Sequence, residues 1–205
     1  MLHAHLDLIT TADPPALHGC LDYIEKQVRP VLESQPGSLG LSLLASPEHG
    51  VAVCESLWAS RNELGASEQV AAPLRAEMAR QARGSVTAAR YQLPVFQQEA
   101  PLHGGEGVRL TRIEVRRSAV TDVIEAFGDS AVPRLAGTPG FRGALLFADR
   151  SSGHLVSQTM WCDPQARAAG PSVAAVIRAD LLEAADCQIR AVEDYSLVFS
   201  SARKA

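Results

Sequence analysis

The chain has 205 residues, 46% hydrophobic and 20% charged, with 19 Lys and Arg against 23 Asp and Glu for a net charge of −4. That balance excludes a disordered chain, which lacks the apolar surface to offset ordering entropy, and it fits neither collagen nor a coiled coil. Mild acidity argues against nucleic acid as the main partner, because phosphate binding wants a basic surface.

Ala4, Leu6 and Leu8 alternate with His3, His5 and Asp7, which predicts a first strand. Asp13-Pro14-Pro15 reads as an N-cap with proline in the first turn, and Leu17, Leu21, Ile24 and Val28 recur at helical spacing. Pro30 is expected to break or kink that helix near its end. Leu39 to Ala45 reads as a strand, Ser46 to Gly50 as a hairpin connection and Val51 to Ala59 as the next strand. Ser60 with Glu63 has capping-box spacing, and Val70, Leu74 and Met78 mark one face of a second helix that Gly84 ends. Val86 to Phe96 is the fourth strand. Arg75 lies about 100° from the Val70 and Leu74 positions, so it reads as part of a solvated helix face.

The chain then repeats itself. Pro36-Gly37 and Pro139-Gly140 match at an offset of 103, since 139 − 36 = 103. The same offset pairs Pro30 with Pro133, Gly50 with Gly153, Arg75 with Arg178, and Trp58 with Trp161, the only two tryptophans. The second copy predicts a strand over Val108 to Val115 whose alternation slips near Arg112, then a helix carrying Val120, Val123, Ile124 and Phe127. A hairpin follows at Asp149 to Gly153, and Asp163-Pro164 opens a helix with Val173, Val176, Ile177 and Leu181 on its core face. Ile189 to Phe199 closes the copy, and Arg109, Arg112, Arg116 and Arg117 read as a solvated strand edge.

The order β-α-β-β-α-β in each copy is the split βαβ, or ferredoxin-like, plan. The predicted organisation is a first unit over 1–98, a Gly/Pro-rich linker over 99–107 and a second unit over 108–205. Leu41 to Leu44 and Ala144 to Phe147 are apolar on both phases, so two sheets could bury their spare faces against each other. The expected fold class is therefore α+β, with tandem ferredoxin-like units forming an intramolecular pseudo-dimeric α+β barrel, which a further homodimer could extend.

Cys20, Cys54, Cys162 and Cys187 form no C-x-x-C pair and have no His at ligand spacing, so no metal site is expected. The start Met1-Leu2-His3-Ala4-His5 has no basic, then apolar, leader pattern, and no run is long enough to span a membrane. These features read as a cytoplasmic protein with reduced thiols and no membrane partner.

Three motifs carry a family resemblance. Pro-Gly-x-x-Gly turns lead into the second strand of each copy, at Pro36 to Gly40 and Pro139 to Gly143. The third strands end in Ser56-Leu57-Trp58-Ala59-Ser60 and Thr159-Met160-Trp161-Cys162-Asp163, and an Ala-rich helix follows the Trp. In this the chain resembles the dimeric α+β barrel proteins of the antibiotic biosynthesis monooxygenase type, in two tandem copies. The resemblance implies an indole at Trp58 and Trp161 lining a cavity between helices and sheet, where it can stack on a flat ligand. The family includes cofactor-free oxygenases of aromatic polyketides and quinols as well as haem-degrading enzymes. The histidine of the haem degraders falls here on Ser67-Glu68 and Gly170-Pro171, which disfavours haem degradation. The asparagine of the polyketide oxygenases falls on Cys54 and Ser157.

The candidate catalytic residues are Trp58, Trp161 and His5, the last a general base with Asp7 beside it on the strand. Arg90 and Tyr91 could add a cation and a phenol, where the second copy has Glu193 and Asp194. The resulting expectation is a cofactor-independent monooxygenase of small aromatic or quinol-like compounds, with no cofactor and a small hydrophobic or aromatic ligand as partner. The alternative is a non-enzymatic hydrophobic-ligand-binding or interaction module of the same fold.

Overall fold

The computed structural model describes residues 1–99, 102–170 and 187–203. Two compact units divide it, one formed by Met1–Tyr91 with the stretch from Leu197 onward, the other by Gln92–Ser196. The predicted core residues Val173, Val176, Ile177 and Leu181, and also Pro171 and Arg178, lie outside the described residues.

Unit 1 runs β1 (Leu2–Thr11), α1 (Pro14–Tyr23), α2 (Arg29–Glu33), β2 (Ser38–Ser46), β3 (Val51–Trp58) and α3 (Arg61–Ala82), then enters β4 (Gly84–Gln98). Its central strand β3 pairs antiparallel with β1 and β2. Unit 2 runs β5 (Gly107–Glu114), α4 (Val120–Ala126), α5 (Val132–Ala136), β6 (Phe141–Asp149), β7 (His154–Trp161), α6 (Pro164–Ala169) and β8 (Gln188–Ser200). There β7 pairs antiparallel with β5 and β6, β8 pairs with β5, and β6 pairs with the Gln92–Gln98 end of β4. The protein is thus α+β with antiparallel sheets.

Pro30 does not break its helix. A π-helical turn over Ile24–Val28 joins α1 to α2, and the Arg29 N–H reaches back to the Ile24 carbonyl. Proline lacks the N–H that an α-turn would use and its ring collides with the carbonyl four residues back, so one wider turn accommodates it. Unit 2 has the same device at Phe127–Ala131, ahead of Pro133, with the Val132 N–H on the Phe127 carbonyl. The Pro-Gly turns also match: Gly37 and Gly140 have φ of 74° and 82°, a region that side chains avoid.

Each unit buries one sheet face beneath its helices. In unit 1 Leu17, Cys20, Ile24 and Val28 meet Ile9, Leu41, Leu43, Cys54 and Met78. In unit 2 Val120, Val123, Phe127 and Leu135 meet Ile113, Leu146, Leu155 and Trp161. Each fully buried aliphatic or Phe side chain contributes roughly 1.5–3 kcal/mol, so these faces dominate each unit's stability. The opposite faces of β2 and β6 are buried as well, as their apolar residues on both phases predict.

Several local expectations are corrected. Asp13 makes no side-chain cap; its carboxylate takes a hydrogen bond from Arg83, and Thr11 Oγ1 accepts the Asp13 N–H. Ser60 does cap α3, accepting the Glu63 N–H, but the left-handed residue after that helix is Arg83, and Gly84 begins β4. The buried stripe of α3 is Leu64, Ser67, Ala71, Met78 and Ala82; Leu74 packs on the core only partly buried, and Val70 is half-buried. Arg75, four after Ala71 and three before Met78, is on that stripe. The Arg109 region is no solvated edge, because β5 has β7 on one side and β8 on the other. There Arg109 pairs with Asp194 and Arg112 with Glu193, both at 2.8 Å.

Candidate functional site

The helix-facing side of β1 carries His3, His5, Asp7 and Ile9. Across the ladder His5 faces Ser56 and Asp7 faces Cys54. Trp58 is two residues beyond Ser56 on that same face, so His5, Ser56 and Trp58 share one surface beneath α3. His5 is 2% exposed and Trp58 1%. The Trp58 indole N–H donates to Ser56 Oγ at 3.0 Å.

Arg75 enters this face from α3. Its Nε donates to Asp7 Oδ1 at 2.8 Å and its Nη1 to Glu68 Oε1 at 2.6 Å. Its Nη2 lies 2.6 Å from His5 Nδ1 and 3.1 Å from Glu68 Oε2. From β4, Arg90 Nε lies 3.0 Å from His5 Nε2, and Arg90 Nη2 is 3.0 Å from Glu68 Oε2. Five charged or titratable side chains from three elements therefore converge on one point. The inner members His5, Asp7 and Arg75 are nearly closed from solvent, whereas Glu68 is one third exposed and Arg90 more than half.

The electrostatics follow from that gradient. Burial, and then the charges of Arg75 and Arg90, bring His5 down to about 4, so it is neutral near pH 7. Burial pushes Asp7 up to about 6, although Arg75 opposes the shift. The hydrogen bond from Arg75 brings Glu68 down to about 2, with Arg90 adding to it. A neutral imidazole accepts at only one nitrogen. With guanidinium donors beside both ring nitrogens, His5 can accept from one and must hold its own N–H against the other. Nε2 accepts from Arg90 Nε, so the ring N–H is on Nδ1, beside Arg75 Nη2.

The structure thus brings His5, Trp58 and Arg90 to one face of unit 1. It brings Tyr91 and His3 into none of these contacts. Trp161 belongs to unit 2, where its indole N–H donates to Thr159 Oγ1 at 3.2 Å and its ring packs edge-on to Phe141. A Cβ on Gly170 would fall 2.5 Å from that ring, so only glycine lets the backbone approach there. Two members of the cluster were missed by sequence reasoning. Arg75 was placed on a solvated face, and the stripe Leu64, Ala71, Met78, Ala82 running through it was the available signal. Glu68 was weighed only as a replaced histidine. Among the described residues no group of three or more His, Cys, Asp or Glu side chains could hold a metal ion. All four cysteines are free thiols, and burial raises Cys20 and Cys54 away from thiolate character. No helix among the described residues is long and apolar enough to cross a membrane.

No family model matches the chain. Two curated relatives are the uncharacterized proteins Rv2557 and Rv2558 of Mycobacterium tuberculosis (strain ATCC 25618 / H37Rv), 28% identical over 142 residues and 27% identical over 138. Both matches cover 67% of this chain, but only 63% and 58% of the relatives, so the chain spans less than two thirds of their length. Among solved structures, an anthrone oxidase-like protein superposes with a TM-score of 0.68 at 14% identity, over 97% of this chain and 92% of that one. A ferredoxin fold protein related to antibiotic biosynthesis monooxygenases, from Listeria monocytogenes 4b F2365, gives 0.54 at 9% identity, over 100% and 96%. The heme-degrading enzyme LmHde from Listeria monocytogenes gives 0.52 at 10% identity, over 94% and 98%. At such identities the likeness shows a shared fold alone, and a fold does not fix a chemistry.

Proposed function

We propose that unit 1 is a cofactor-independent oxygenase site for a small aromatic or quinol-like compound, with His5 as base and Trp58 as the flat wall beside it. The observation that carries this reading is a buried, neutral His5 held between two arginines on the face it shares with Ser56 and Trp58. Arginines within hydrogen-bond reach favour the anion of an acidic substrate, and a neutral imidazole can take its proton. The anion of an electron-rich ring then transfers electrons to dioxygen. In an anthrone-like substrate an activated CH2 group becomes a carbonyl, one oxygen atom enters the product, the other leaves as water, and the substrate supplies all four electrons; a quinol instead gives two electrons and two protons to dioxygen and leaves as the quinone, with hydrogen peroxide as the other product. The neighbours named as oxidase- or monooxygenase-related support this reaction class. Trp161 enters as a packing residue of unit 2. The 103-residue offset, seen again in the paired π-turns and Pro-Gly turns, supports the companion reading that the units are tandem copies arranged as an intramolecular pseudo-dimer.

Incubating the pure protein with anthrone or hydroquinols under oxygen tests the reading. Oxygen uptake above the uncatalysed rate, lost in His5→Ala, is the expected result; no uptake sinks it. One observation favours a non-enzymatic ligand-binding module instead: the Trp58 N–H is already taken by Ser56. On that reading aromatic ligands quench fluorescence in Trp161→Phe but not in Trp58→Phe, without any oxygen uptake.

A further inference from the structure

Glu68 behaves as a ligand that the protein supplies to itself. Its carboxylate lies fork-to-fork on the Arg75 guanidinium, with Oε1 at 2.6 Å from Nη1 and Oε2 at 3.1 Å from Nη2. Oε2 also lies 3.0 Å from Arg90 Nη2 and 3.8 Å from His5 Nε2. Two guanidinium groups therefore converge on one carboxylate, Arg75 in the planar, two-pronged geometry that guanidinium reads best.

Charge decides what could replace it. Asp7 holds the far side of Arg75 and is buried, so it stays. Without Glu68, the two arginines, one Asp7 carboxylate and a neutral His5 sum to a single positive charge. The vacated place then fits one planar monoanion. Glu68 is also the member that can leave: its side chain is one third exposed, against 7% for Asp7, and it projects from a helix that Leu64, Ala71 and Met78 anchor independently.

We propose that the small molecule bound in unit 1 carries a carboxylate, and that this carboxylate displaces Glu68 from Arg75 and Arg90. The inference rests on the unit 1 site proposed above and adds the recognition element of its substrate class, an aromatic carboxylate. The exchange is one carboxylate for another, so the charge of the cluster is conserved.

Calorimetric titration with benzoate and with benzamide, its uncharged counterpart of similar shape, at fixed ionic strength tests this. In Glu68→Ala benzoate should bind about tenfold more tightly than in the wild type, the size of one charge-assisted hydrogen bond, and benzamide should gain nothing. Arg90→Gln added to Glu68→Ala should remove most of the gain. Should Glu68→Ala fail to fold, Glu68→Gln removes the charge with the shape retained and is read in the same way. Equal binding of benzoate and benzamide, or no gain over the wild type, overturns the inference. Oxygen uptake with 2,5-dihydroxybenzoate against hydroquinone separates the two levels. Uptake with hydroquinone alone leaves the oxygenase reading standing and defeats the carboxylate inference, whereas a benzoate gain without any uptake does the reverse.

Discussion

Opposite Trp58 the neighbouring strand places His3, and opposite Trp161 it places Gly107. Trp58 and Trp161 are 103 residues apart, but His3 and Gly107 are 104 apart, so the first strands of the two units are out of step by one residue. On the helix-facing side His5 therefore answers to Arg109, and Asp7 to Thr111. A shift of one residue exchanges the two faces of a strand, so this slip decides which side chains lie under the helices. In unit 1 that face holds a carboxylate and an imidazole, joined by an arginine from α3. In unit 2 Arg109 turns to Asp194, which Arg167 also approaches at 3.4 Å, and Thr111 faces Ser157. Both hydroxyls are buried, and neither has a hydrogen-bond partner among the described residues. Among the described residues, the matching face of unit 2 carries the Arg109–Asp194 ion pair and the Thr111 and Ser157 hydroxyls in place of that cluster.

The largest test of this contrast is Arg75→Met. It leaves Asp7 buried without its partner, and loss of about 3–5 kcal/mol in chemical denaturation is expected, as for other broken buried ion pairs. Next is the Ser67 and Gly170 pair, which occupy matching positions. Gly170→Ala forces a Cβ toward the Trp161 ring and should cost about 1–3 kcal/mol. Ser67→Ala loses one hydrogen bond to the Leu64 carbonyl and should cost only about 1 kcal/mol by the same assay.

A pH series sharpens the comparison further. His5 is depressed from 6.5 to about 4, so the unfolded chain binds its proton first and stability falls as pH drops through that window. Asp7 is raised from 3.8 to about 6, so the folded chain binds its proton first and stability rises as pH drops from about 6. The two oppose each other, and stability should stay nearly level until Glu68, depressed from 4.5 to about 2, begins to cost stability below 4.5. In His5→Gln the Asp7 contribution stands alone, so that variant should gain stability between pH 6 and 4.5; a loss there contradicts the assignment. The smallest effect belongs to Thr111→Val, which removes a buried hydroxyl with no partner among the described residues and should be neutral or stabilising by up to about 1 kcal/mol in thermal unfolding.

Much of the architecture was legible in the residues. Alternation and helical spacing place the strands and helices within a few positions, and the capping pair Ser60 and Glu63 and the Asp163 cap fall where their spacing puts them. Pro30 misled, because its chemistry forbids an α-turn and says nothing of the wider turn that replaces it. The candidate site was half legible. His5 and Trp58 stand out by residue type, but Arg75 has no local signature that separates it from a solvated arginine.

Sequence alone determined the element order, the 103-residue recurrence and the alternation that sets His5 and Asp7 on one face, because these follow from short-range geometry and hydrophobic period. Only the tertiary structure decided that this face is covered by α3, and that Arg75 meets Asp7 and His5, which lie 68 and 70 residues away. Whether a charge is buried and paired depends on groups that distant segments deliver. The pairing of β1 with β3 and of β5 with β7 likewise fixes the one-residue slip between β1 and β5.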